Sequence, residues 1–178
     1  MIFEETGLID AYIVKPEKIQ DHRGFFARVW CAREFEAVGL NTRLVQSNVS
    51  FSHYRGTLRG MHFQTEPRQV AKLFRCIKGA AYHVIIDLRP ESTTYMEWEG
   101  VELTEENFKM LWVPKGFAHG YLALKDRSVV FYHVNEFYSP ENEKGIRWND
   151  TSFNIQWPHV ENLIISEKDL SWPNFVRE

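Results

Sequence analysis

The chain reads as an all-β protein, a sandwich or barrel, on three observations. Short runs of β-branched and aromatic residues recur along it, turn-forming pairs separate them, and aromatic side chains make up 15% of its 178 residues. The runs cover residues 11–14, 44–51, 70–77, 80–88, 108–113 and 129–138, with breaks at Lys78-Gly79, Pro114-Lys-Gly116 and Ser139-Pro140.

Taken in order, residues 11–14 form a first short strand, and residues 32–38 predict a helix closed by Gly39, where the backbone turns left-handed. Residues 44–51 return to strand, and Gly56-Thr-Leu-Arg59-Gly-Met-His62-Phe-Gln64 continues as a strand-like segment punctuated by glycine. Residues 70–77 and 80–88 predict a hairpin about a two-residue turn, with Gly79 supplying a positive φ. Pairing Ile77 with Ala80 sets Phe74 opposite His83 and Lys72 opposite Ile85, so Lys72, Phe74, Cys76, Ala81, His83 and Ile85 share one face. Residues 114–120 form a strand-to-turn segment, and 129–138 a strand that carries Tyr132. A second short helix starts at Ser166, with Asp169 reaching back as its capping partner. Both helices are peripheral. No repeat, low-complexity tract or shift in composition divides the chain, which predicts a single domain over residues 1–178.

Bulk properties narrow the function classes. A chain of 178 residues buries roughly two thirds of its unfolded surface, enough for a real core. The formal net charge is −3, from 21 basic and 24 acidic residues, and no basic block proposes nucleic acid or an anionic membrane as partner. Cys31 and Cys76 have no metal-ligand spacing, and neither a signal peptide nor a long apolar run is visible, which predicts a reduced, cytoplasmic protein.

Individual residues suggest a site without defining one. His62, between Met61 and Phe63, reads as a hydrogen-bonded core histidine as readily as a base. Lys72 is more pointed, because an inward ammonium among apolar neighbours must either be paired or meet an anion. His119 lies in a glycine-flanked turn where a ligand can approach the backbone, and Tyr132 sits mid-strand. No His-x-His, His-x3-His or carboxylate stands at ligand spacing near His62, which predicts no built metal site.

Read together and in order, Asp21-His-Arg23-Gly-Phe-Phe26, Gln46-Ser-Asn48, Arg59-Gly-Met-His62-Phe-Gln64, Lys72, Pro114-Lys-Gly-Phe-Ala-His119-Gly, Tyr132, Phe137-Tyr138-Ser-Pro, Gly145-Ile-Arg-Trp-Asn-Asp150 and Ser166-Glu-Lys-Asp169 closely resemble the dTDP-4-dehydrorhamnose 3,5-epimerase family over most of the chain. The resemblance implies a cupin-type jelly roll (a double-stranded β-helix), a homodimer that shares strands and no metal or organic cofactor. It also implies an isomerase acting on a nucleotide-diphospho-4-keto-6-deoxyhexose, in deoxysugar supply for O-antigen-type polysaccharides. By the same resemblance His62 is the base, Asp169 its orienting carboxylate, Tyr132 the acid on the opposite face and Lys72, helped by His119, the stabiliser of the enolate. Arg23, Arg59 and either Gln46 or Asn48 hold the diphosphate and sugar, and Phe26 and Tyr138 stack on the base.

Two positions depart from the family. Its Arg-Gly-Phe-Phe-x-Glu pattern ends here in Arg28, which puts a donor where thymine N3–H needs an acceptor and so predicts a CDP-sugar. His83 stands where an aspartate is usual, on the face assigned to Lys72, which it cannot neutralise. That predicts a reaction confined to one carbon, with C3 favoured. Three rivals remain: a keto-sugar isomerase on the same scaffold, a non-catalytic nucleotide-sugar-binding protein, and a metal-dependent cupin oxygenase that the ligand spacing disfavours.

Overall fold

Seven consecutive residues, Phe117–Ala123, are buried, and such a strand needs neighbours on both its faces. The computed structural model, which describes residues 1–177, supplies them. In chain order its elements are β1 (Ile2–Glu5), β2 (Tyr12–Lys15), β3 (Lys18–Asp21), β4 (Gly24–Ala27), α1 (Ala32–Glu36), β5 (Gln46–Ser52), β6 (Leu58–Gln64) and β7 (Lys72–Lys78). There follow β8 (Ala80–Asp87), β9 (Trp98–Thr104), β10 (Met110–Val113), β11 (Phe117–Ala123), β12 (Ser128–Val134), β13 (Glu143–Gly145) and α2 (Glu167–Leu170).

Two antiparallel sheets face each other, one ordered β1-β2-β10-β7-β12-β5 and the other β13-β6-β11-β8-β9, while β3 and β4 form a separate two-stranded sheet. The central strands interleave as β5-β12-β7-β10 against β6-β11-β8-β9, which is the strand order of an eight-stranded jelly roll. Between the sheets lies a core that includes Phe74, Cys76, Ile85, Leu111, Phe117 and Val130. Two further clusters cover the outer faces. One centres on Leu73, Phe35 and Trp112; the other on Met61, Val84, Ile146 and Phe153.

The hairpin expected from residues 70–77 and 80–88 does not form: β7 lies between β10 and β12, and β8 lies in the opposite sheet between β11 and β9. The chain crosses from one sheet to the other at Lys78-Gly79. Gly79 does take a positive φ, +75°, and a Cβ there would stand 2.5 Å from Ser128 Oγ. The shared face is nonetheless real, because Phe74, Cys76, Ala81 and Ile85 meet in the inner core. Phe74 faces His83 across the gap, with ring centroids 5.3 Å apart. A period of two says which side of a strand is buried, but not whether the partner lies beside it or above it.

The helices are shorter and more specialised than expected. α1 ends at Glu36 and not at residue 38, and the Gly39 N–H closes it on Glu36 O at 2.9 Å. At α2 the Ser166 Oγ accepts from the Asp169 N–H at 3.1 Å, but the Asp169 carboxylate does not reach back to close a capping box. It is engaged at β6 instead. No helix among the described residues is long and apolar enough to cross a membrane.

Candidate active site

The site grows from an irregularity in β6. Its register against β11 pairs Tyr121 with Arg59 and His119 with His62, so β6 runs three residues where β11 runs two. The extra residue sends Met61 to the outer core and places Arg59 and His62 beside Tyr121 and His119. Only glycine fits the crossing, since a Cβ on Gly60 would stand 2.5 Å from Gly120 Cα, and one on Gly120 would stand 2.6 Å from Met61 Sδ.

His62 Nε2 lies 2.6 Å from Asp169 Oδ1. Asp169 also accepts from the Gly60 N–H at 3.2 Å and the Trp172 indole N–H at 3.3 Å. Burial pushes its carboxyl up, but the His62 contact and these donors outweigh burial and hold it below the usual carboxylate range. An ionised acceptor on one nitrogen requires the hydrogen at Nε2 and leaves the His62 Nδ1 lone pair free to take a proton.

The facing sheet contributes Lys72, Phe74 and Tyr132. Tyr132 pairs with Phe74 and with Asn48 on its flanking strands, so these side chains share the inner face. Burial pushes the Lys72 ammonium down to about 8, with the Glu143 carboxylate opposing the shift. The Tyr132 phenol is pushed up by burial and by Tyr121, with Arg59 opposing, and so stays protonated at neutral pH. Phe74 stacks on His119 at 3.9 Å and packs against Tyr132 at 5.0 Å, forming the floor between the two walls.

Beside His62 stands a polar cluster that joins two residues expected at the site, Gln46 and Tyr138, to two that were not, Glu143 and Lys168. Glu143 Oε2 accepts from Tyr138 OH at 2.7 Å and from Lys168 Nζ at 2.6 Å. Gln46 Oε1 accepts from the Tyr138 N–H at 3.0 Å. Lys168 and Asp169 are adjacent on α2, which hinted at this; Glu143 belongs to a three-residue strand with no sequence signature.

His83 is not where its expected role required. It is fully buried beneath His119, with Nδ1 2.9 Å from His119 Nε2, and cannot touch a ligand directly. Burial pushes its pKa to about 3, so it is neutral and offers Lys72 no repulsion. The repulsion that a charged His83 would exert is therefore absent, although position 83 still gives Lys72 no carboxylate partner.

Arg23, Phe26 and Arg28 are not brought to His62 within this chain. Their hairpin packs through Phe25 on Phe108, which in turn carries the Arg75 guanidinium. Arg75 alternates with Phe74 along β7 and so lies on the outer face of that sheet. Arg23 pairs with Asp21 at 2.6 Å and Arg28 with Glu34 at 3.1 Å, while Phe26 remains 65% exposed. Arg59 stays at the inner site and donates to Phe51 O at 3.2 Å.

A cavity of about 940 Å³ lies elsewhere, between the outer side of β6 and the C-terminal segment, bordered by Phe63, Arg89, Tyr95, Lys144 and Phe175. Its lining includes none of His62, Asp169, Lys72 and Tyr132. Among the described residues no three His, Cys, Asp or Glu side chains are grouped to hold a metal ion.

A family model described as dTDP-4-dehydrorhamnose 3,5-epimerase matches residues 5–177. The enzyme of that name from Methanothermobacter thermautotrophicus is 47% identical over 172 residues, 96% of this chain and 92% of that protein. The crystal structure of the Bacillus anthracis enzyme with TDP and PPi bound superposes with a TM-score of 0.94 at 41% identity, covering 98% of this chain and 99% of that one. The Legionella pneumophila dTDP-6-deoxy-D-glucose-3,5-epimerase in complex with dTDP-4-keto-L-rhamnose gives 0.92 at 34% identity, over 97% and 92%. With the family pattern running through both walls of the cleft and nearly the whole sequence aligned, this chain belongs to the dTDP-4-dehydrorhamnose 3,5-epimerase family.

Proposed function

We propose that the protein is a cofactor-independent epimerase that inverts C3 and C5, the carbons flanking the keto group, of a dTDP-linked 4-keto-6-deoxyhexose. The observation that carries this reading is the two-sided site: His62 with Asp169 on one wall, Tyr132 on the other. Inversion needs a base and an acid on opposite faces of a carbon, because one group working on one face returns the starting configuration. His62 Nδ1 takes the proton next to the carbonyl, the negative charge moves to the C4 oxygen beside the Lys72 ammonium, and Tyr132 returns a proton from the far side. A keto-sugar isomerase would not need Tyr132 in that position.

The proposed nucleotide is dTDP and not CDP. The relatives above are named for dTDP sugars, and the Arg28 donor on which a CDP preference depends is already paired with Glu34. Double inversion rests on the relatives above, which are named as 3,5-epimerases; a neutral His83 removes only the repulsion of Lys72. Arg23 and Phe26, remote from His62 in their own chain, support a homodimer in which each hairpin closes the partner's site. We propose that residues 1–178 act as one domain and, from the two free cysteines, that the protein is cytoplasmic.

The test is incubation with a dTDP-4-keto-6-deoxyhexose in deuterium oxide, read by mass spectrometry and NMR. Two deuterons and inverted configurations are expected; one deuteron defeats the double inversion, and none defeats the enzyme.

A further inference from the structure

We infer that His83 is a positioning residue that sets His119 as a neutral hydrogen-bond donor aimed at the sugar; this rests on the epimerase reading above. The two side chains leave neighbouring strands on the inner face, where His83 pairs with Tyr121 and His119 with Ile85 in the β8–β11 register. They share one hydrogen bond of 2.9 Å, and no carboxylate bonds to either ring among the described residues. Their walls are aromatic: His119 stacks on Phe74 at 3.9 Å and His83 on Tyr121 at 5.2 Å.

The charged and titratable groups facing the pair are Lys72 from β7, His62 and Arg59 from β6, Tyr121 from β11 and Tyr132 from β12. Burial together with the neighbouring His83, Lys72 and His62 holds His119 well below the usual imidazole range, and burial does the same to His83. Both rings are therefore neutral, and one of them must donate.

The orphaned atom decides which. His83 Nε2 is buried with no partner. Were His119 the donor, His83 would carry its hydrogen on that atom, leaving an N–H unbonded in an aromatic core, the rarer and costlier kind of orphan. With His83 donating from Nδ1, Nε2 keeps only a lone pair. His119 then accepts at Nε2 and carries its own hydrogen on Nδ1, which has no partner among the described residues and, unlike His83 Nε2, is not sealed from solvent.

His119 is the register partner of His62 and lies near enough to Lys72 to feel its charge. A donor there serves an oxygen that gains negative charge as His62 removes a proton. A carboxylate at position 83 would do something different: it would accept from His119 Nε2 and favour the imidazolium, adding a second cation beside Lys72. The histidine pair adds a neutral donor and no further cation to the Lys72 and Arg59 already there.

The experiment is two-bond hydrogen–nitrogen NMR of the full-length, nitrogen-15 histidine-labelled protein without ligand, with His119 assigned by signal loss in His119→Asn. A neutral Nδ1–H tautomer is expected from about pH 6 to about pH 8; an Nε2–H tautomer or a titrating cation overturns the inference. His83→Asp is expected to bring His119 into titration in that window and to add an inflection to the pH profile of kcat, and an unchanged profile counts against it. His83→Phe, which keeps a ring but no donor, is expected to lower kcat by about 10- to 100-fold with KM unchanged; full kcat overturns the role. Because the spectrum is read on the unliganded wild type, it decides the tautomer even if no epimerisation is found.

Discussion

Along the inner face, His62, Lys72, His119 and Tyr132 are held by strands of both sheets and by buried partners, whereas Arg23, Phe26 and Arg28 stand on or just past a separate two-stranded hairpin with largely exposed side chains. The first region fixes proton donors and acceptors to within a hydrogen bond. The second presents charge and aromatic surface outward, with no place to use it in its own chain. On the proposed function the difference teaches that chemistry and nucleotide capture are separable, so damage to the first should appear in kcat and damage to the second in KM.

The largest effect should come from His62→Ala, which removes the proposed base and is expected to lower kcat by about 10³-fold while leaving nucleotide affinity by calorimetry unchanged. Affinity lost in parallel would dissolve the division between the regions. Lys72→Met follows, with kcat down by about 10²-fold for loss of the cation at the enolate. In the wild type the ammonium gives up its proton near pH 8, so kcat/KM should fall as pH rises through that value. The stability sign is opposite: Lys72 binds its proton less tightly folded than unfolded, so the methionine variant should unfold at a higher temperature near neutral pH. That advantage should shrink as pH rises from about 8 towards 10.5.

Tyr132→Phe is expected to lower turnover by about 10²-fold and to uncouple exchange from inversion: deuterium enters from the His62 face and the configuration is retained. Inversion at full rate would remove Tyr132 from the mechanism. For the hairpin, Arg23→Ala should raise KM by about 10-fold with kcat intact. Mixed with His62→Ala protein at subsaturating substrate, it should regain activity that neither variant has alone, and no recovery would argue against shared sites. The smallest effect is that of Arg28→Ala, whose exposed pair with Glu34 is worth about 1 kcal/mol or less. Titrating CDP and dTDP against wild type and variant tests the nucleotide, and a CDP preference that vanishes in the variant would restore the reading of Arg28 as a base contact.

Much of this architecture was legible in the residues. Alternation exposed the inner face of β7 and β8, and the ordered motifs pointed to the jelly roll and to His62 with Asp169. Strand partners were not legible, because the period that buries Phe74 and His83 on one side is the same for a hairpin as for two facing sheets. The bulge was invisible for a related reason: Gly60 and Gly120 announce close approach, but only their crossing shows that β6 gains a residue there. Glu143 escaped because its place depends on Tyr138 and Lys168, which are distant from one another in sequence. His83 was assigned to Lys72 because the face was known but the diagonal neighbour on β11 was not.

The reactive groups hang from two opposed walls, with the Phe74 ring as the spacer next to both His119 and Tyr132. In the proposed mechanism the proton is collected at one wall and delivered from the other, which makes the thickness of the sandwich a caliper for the sugar ring. Facing sheets stand about 10 Å apart, and the core packed between them helps set that gap. Thinning the spacer, as in Phe74→Leu, should change the stroke of proton transfer without touching any group that carries a proton.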